Sequence, residues 1–196
     1  MKTDPILDLE KIRDVAEYLS KDSKRNELLV WVLVYTGLRI EDALMLRVRD
    51  LRGSNGKIME TISVNEEKTQ KARRIKISKK LRRKLDEYVT EKPGYEFIFL
   101  SRKRSKKCYK DHDLEGPTPV TRQHAWKILS DAGRVFGIRL SPHALRKTFA
   151  RRLYEISNND ITVPMRALNH TTPTQTETYI GLTETSINSY VEGLDF

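Results

Sequence analysis

A single cysteine, Cys108, is all the thiol chemistry the 196 residues carry. A disulfide framework within the chain is excluded, and such sparing use suits a reducing cytoplasm. Long hydrophobic runs are missing too. The longest apolar stretch, LLVWVLVY at 28–35, falls short of the ~18–20 residues that a membrane-spanning helix needs and reads as a buried helix. The opening residues, MKTDPILDLE, are acidic and lack a signal-peptide pattern. No helix pairs a basic face with a Trp/Phe-rich apolar face, so a membrane partner is not expected. No glycine pattern of a phosphate loop occurs. Metal ligands are sparse: Cys108 and His112, in CYKDH, offer two donors in one loop where a structural zinc takes four. Neither a metal nor a cofactor is expected.

Acidic residues are outnumbered. The formal net charge is +10, which points to a polyanion, most simply nucleic acid. The excess is clustered. Residues 68–85, KTQKARRIKISKKLRRKL, hold ten Lys or Arg and no acid, and six of the ten residues in SRKRSKKCYK (101–110) are basic. Either run alone is as well explained by a solvated face. Two runs without acidic interleaving favour the tracking of phosphates.

What is present in quantity is helical patterning. Hydrophobic residues make up 38% and charged residues 33% of the chain, enough apolar content for a real core. Leu9, Ile12, Val15, Ala16 and Leu19 give a helix over 8–20. A second helix runs over 23–36 and stops at Gly37, and a third over 40–47. GSNG at 53–56 is a turn, and 57–64, 73–78 and 96–101 read as strands, with 65–72 as a hairpin loop. Ser78 caps a helix bearing Leu81, Leu85, Tyr88 and Val89 on one face. Residues 102–120 form a long polar loop. Thr121 caps a helix to about Phe136 with Ala125, Trp126, Ile128, Leu129 and Ala132 as its core face. Ser141–Pro142 opens a helix to about Ile156. A short helix follows, ending near Leu168, and then helices over 174–180 and 184–193. The expectation is an α+β fold, mainly helical, with a small antiparallel three-stranded sheet, in one domain over 1–196.

Several charged or polar residues stand out. Arg39 and Asp42 lie in the apolar stretch VLVYTGLRIEDALML. Either they pair with each other, or Asp42 orients the Arg39 fork toward an anion. Lys68 lies in the hairpin loop with Lys71 and Arg73 close behind. This is either a basic exposed turn or a loop that delivers an ammonium into a site. His143 and Arg146, in SPHALRKTF, are three residues apart and share a helix face. His170 sits at a helix end, and Tyr179 follows nine residues on.

Taken in order, T-G-L-R with an acid three residues after the Arg, a hairpin Lys, H-x-L-R, L-x-H and then Tyr resembles the tyrosine recombinase (phage integrase-like) family. The resemblance extends over residues 10–190 or so and includes spacing as well as identity. It implies that Arg39, Lys68, His143, Arg146 and His170 surround a scissile phosphate and that Tyr179 is the nucleophile. The two arginines would clamp the non-bridging oxygens, His170 would add a hydrogen bond, and His143 would take the Tyr179 proton or help to hold the phosphate. Lys68 would protonate the leaving 5′-oxygen, with Lys71 as the fallback, because KTQKARRIKI resembles the family's K-G-x-K-x-R pattern at its first Lys.

There are departures. Asn169 stands where the family usually has Gly, and Lys147 where it often has His. Asn tolerates the left-handed backbone. Lys147 falls outside the set and is expected as a DNA-facing or surface charge. The resemblance leads to the expectation that the separate N-terminal core-binding domain of most members has no counterpart, as in single-domain members such as fimbrial phase-variation invertases or in a truncated form. Ile187, Tyr190, Val191 and Leu194 share one face of the tail (181–196), which either packs on its own domain or is exchanged with a neighbouring protomer.

The resemblance implies a site-specific recombinase or integrase that breaks and rejoins double-stranded DNA through a 3′-phosphotyrosine. It further implies a homotetramer on paired sites, a monomer off DNA being open, and a cytoplasmic setting on a bacterial chromosome, phage, plasmid or transposon. A non-cutting DNA-binding module and a type IB topoisomerase are the alternatives.

Overall fold

Short polar side chains start most of the helices. The computed structural model describes residues 3–65, 72–102 and 118–182. Helix α1 (Leu9–Asp22) is capped by Asp8, whose carboxylate accepts from the N–H groups of Glu10 and Lys11 at 3.0 and 3.3 Å. Helix α2 (Lys24–Thr36) buries Leu28, Leu29, Val30, Val32 and Leu33, so nearly its whole circumference is covered. That marks it as the central helix of the core. Short helices α3 (Ile40–Leu44) and α4 (Val48–Leu51) follow. The helix expected over 40–47 stops early because the Arg47 N–H turns to the Asp50 carboxylate at 2.8 Å and opens α4.

Strands β1 (Thr61–Asn65) and β2 (Ala72–Lys76) pair antiparallel, with Ile62 opposite Ile75 and Val64 opposite Arg73. The sheet has two strands among the described residues, not three. The stretch expected as the third makes only isolated bridges, Arg47 with Phe97 and Leu100 with Pro119. Two features explain this. Phe97, Ile98 and Phe99 are all buried, so no face alternates outward. The partner at Pro119 has no N–H with which to extend a ladder.

Ser78 opens α5 (Lys79–Val89), Thr121 opens α6 (Arg122–Val135) and Ser141 opens α7 (Pro142–Ile156), each accepting from an N–H three residues on at 3.1–3.3 Å. On α6 the buried stripe is Ala125, Leu129 and Ala132, while Trp126 is 53% exposed. Trp126 therefore does not belong to the core face on which the sequence spacing puts it: one residue past Ala125, it is turned about 100° away from the stripe. Helices α8 (Thr162–Leu168) and α9 (Pro173–Ile180) complete the order. Helix α7 packs on α2 along one side and on α8 and α9 along the other. It joins the main core to a smaller cluster of Ala150, Leu168 and Ile180.

The turn after α2 depends on Gly37. Its φ of 58° is left-handed, and a Cβ placed there would overlap the Phe149 ring of α7. Gly37→Ala is expected to cost about 2–5 kcal/mol, the sum of left-handed strain and overpacking. An unchanged midpoint in urea unfolding would contradict this.

Candidate active site

Arg39 lies two residues past Gly37 and is the N-cap residue of α3, so the glycine's conformation helps to aim it. His143 and Arg146 project from the first turns of α7, whose start is fixed by the Ser141 cap and Pro142. His170 follows α8, which ends at Asn169 with φ 56°, the left-handed conformation expected of that residue. Tyr179 lies in the last turn of α9, which is held by buried Thr176 and Ile180 and ends at Gly181 with φ 80°. Elements far apart in sequence thus converge. Arg39, His143, Arg146, His170 and Tyr179 line one cavity of about 1060 Å³. Lys68, the remaining member of the expected set, lies outside the described residues, as do Lys71, Cys108, His112 and the tail beyond Leu182.

The geometry around Tyr179 is close. Its hydroxyl is 3.3 Å from Nδ1 of His143. Both imidazoles meet the phenol ring edge to face, with centroid distances of 5.0 Å for His143 and 5.1 Å for His170. His170 is held from behind, its Nδ1 2.9 Å from the hydroxyl of fully buried Thr176. Arg146 is 4% exposed. Its guanidinium donates to the Gly37 carbonyl and, at 3.2 Å, to the Leu168 carbonyl. One buried fork therefore fixes the Arg39 turn and the end of α8 together.

The protonation states follow from these surroundings. Burial pushes the Tyr179 phenol up from its ordinary value, opposed by the charge and hydrogen bond of Arg146 and the charge of Arg39. Burial also holds the His143 imidazole below its ordinary value, helped by the charges of Lys147 and Arg146. Near neutrality the pair is therefore a protonated phenol beside a neutral imidazole.

Three residues behave differently from their sequence expectation. Lys147 is not a surface or DNA-facing charge: it is 6% exposed, and its Nζ lies 5.3 Å from the Tyr179 ring centroid. It is four residues past His143 on the same face of α7, and that spacing was the available signal. Arg73 is 6% exposed rather than part of an exposed turn. It donates to the Thr36 carbonyl at 2.8 Å and the Gly37 carbonyl at 3.3 Å. Its register with Ile75 was the legible clue, because residues two apart in a strand share a face. Trp126 lines the cavity instead of the core. Beside it Arg122 and Glu41 form an ion pair at 2.8 Å on the rim.

Comparison with known proteins places the chain as a whole. The phage integrase family profile matches residues 6–185. The probable integrase/recombinase YoeC of Bacillus subtilis is 33% identical over 181 residues, covering 92% of this chain and 90% of that protein. The tyrosine recombinase XerA of Pyrococcus furiosus is 29% identical over 186 residues, covering 93% of this chain but 59% of that protein. Among solved structures, XerA recombinase superposes with a TM-score of 0.71 at 20% identity, over 99% of this chain and 65% of that one. A lambda integrase dimer bound to a core site gives 0.65 at 19% identity, over 92% of this chain and 60% of that one.

Proposed function

The chain belongs to the phage integrase family of tyrosine recombinases, and from that premise we propose that it cuts and rejoins specific sites in double-stranded DNA through a 3′-phosphotyrosine on Tyr179. The observation that carries the proposal is the Tyr179 hydroxyl 3.3 Å from His143 Nδ1 in a cavity that also holds Arg39 and Arg146. A phosphodiester repels nucleophiles, a neutral phenol is a weak one, and an alkoxide leaves poorly. Arg39 and Arg146 answer the first problem by stabilising charge on the non-bridging oxygens. His143 answers the second by accepting the phenol proton as the Tyr179 oxygen bonds to phosphorus. Lys68 answers the third by giving a proton to the 5′-oxygen as its bond to phosphorus breaks. His170 donates from Nε2 while Thr176 holds its other nitrogen. The phosphotyrosine keeps the ester bond, so a 5′-hydroxyl from another strand reverses the step without ATP.

Because the nucleophile lies in its own chain's cavity, cleavage is proposed to proceed in cis. Exchange between two duplexes cuts four strands, which calls for a tetramer assembled on paired sites. A cytoplasmic setting on a chromosome or mobile element suits that work.

The test is a nicked suicide duplex from which the cut fragment diffuses away. The expected result is a detergent-resistant protein–DNA complex, with the nucleotide on a peptide containing Tyr179. Retarded DNA without a covalent product would favour a non-cutting module, and relaxation of supercoiled plasmid without site preference would favour a topoisomerase. Lys68→Ala is expected to lose cleavage and regain it on a bridging 5′-thiolate, a leaving group that needs no acid. Rescue of Lys71→Ala instead would move the acid to Lys71.

A further inference from the structure

We infer that Lys147 is a positioning residue for the nucleophile, its ammonium holding the Tyr179 ring so that the hydroxyl stays directed at His143. The inference rests on Tyr179 being the nucleophile, but the contact itself does not. Lys147 is 6% exposed and its Nζ is 5.3 Å from the centroid of the Tyr179 ring. Enclosing an ammonium this far costs desolvation free energy that a methionine of similar reach would not incur. Attraction to the electron-rich ring face offsets part of that cost.

The placement explains why a cation is used there. Tyr179 sits in the last turn of a helix of eight residues, and its ring meets imidazole edges at 5.0 and 5.1 Å. These edge contacts, with the polar contacts of the hydroxyl to His143 and Arg146, hold the rim and tip of the ring but not its face. A contact to the ring itself from α7, four residues along from His143, adds to these in fixing the phenol relative to the group that takes its proton. The same charge opposes protonation of His143, helping to keep it neutral.

Three variants test this: Lys147→Met, Lys147→Gln and Lys147→Arg. On the nicked duplex, single-turnover cleavage by Lys147→Met is expected to slow about tenfold, the size of one partly desolvated cation–ring contact. Duplex affinity in a gel shift is expected to hold, and Lys147→Arg is expected to recover most of the rate. Lys147→Gln serves as the uncharged variant where Lys147→Met does not fold. A parent-like rate in the uncharged variant, or Lys147→Arg as slow as that variant, overturns the inference. A second readout does not need cleavage. With 3-fluorotyrosine at position 179, the fluorine resonance is expected to move in the uncharged variant and return toward the parent position in Lys147→Arg. A parent chain that never cleaves would count against the proposed function alone. An unmoved fluorine resonance would count against the role of Lys147 alone.

Discussion

Tyr179→Phe is expected to bind duplex DNA as the parent does and to form no covalent complex, a loss on the order of 10⁴-fold or more, as for removal of a nucleophile elsewhere. Binding should survive because the proposed phosphate grip comes from Arg39 and Arg146, which keep their places. Folding should survive as well. The phenol ring still packs against both imidazoles, and the hydroxyl gives up a long contact of 3.3 Å to His143 and its hydrogen bond with Arg146, worth about 1–2 kcal/mol together. The variant thus separates the chemical step from everything that prepares it. Undiminished trapping would remove Tyr179 from its role. Loss of binding along with trapping would mean that the hydroxyl, not the arginines, anchors the DNA.

The helix starts were legible because their causes are local. Ser78, Thr121 and Ser141 each accept from an N–H three residues away, so a short window of sequence contains both partners. The candidate residues were legible through their order along the chain, and five of them do line one cavity. What sequence did not give were burials whose partners are distant. Arg73 is inside because carbonyls 36 and 37 residues away accept its guanidinium. Lys147 is inside because α9 brings a phenol ring over it. A charged residue is assigned outward by default, and only the tertiary contact that offsets desolvation reverses this. The third strand failed for the opposite reason. Its composition suits a strand, but its covered faces and proline partner leave it without a ladder.

Arg146→Lys is expected to lower cleavage about 10²–10³-fold, the usual size of losing one preorganised donor to a developing oxyanion, and to lower stability by about 1–3 kcal/mol. Both effects come from one side chain. The fork reaches the carbonyls of Gly37 and Leu168, and a lysine ammonium, a point donor on a flexible stem, cannot hold both while also facing a phosphate. The Leu168 carbonyl would lose this donor or the Gly37 carbonyl would keep only its 3.3 Å contact from Arg73, and in the second case the Gly37 turn that aims Arg39 would loosen. The catalytic loss should therefore exceed that of a variant missing the charge at a single contact, because Arg39 is disturbed through the shared turn. Adding Arg39→Lys to Arg146→Lys should then cost less than the product of the two single losses. Strict multiplicativity in single-turnover cleavage would show the two arginines acting independently. Arg146→Lys cleaving and melting like the parent would show that a positive charge suffices there and that the two carbonyls find other donors.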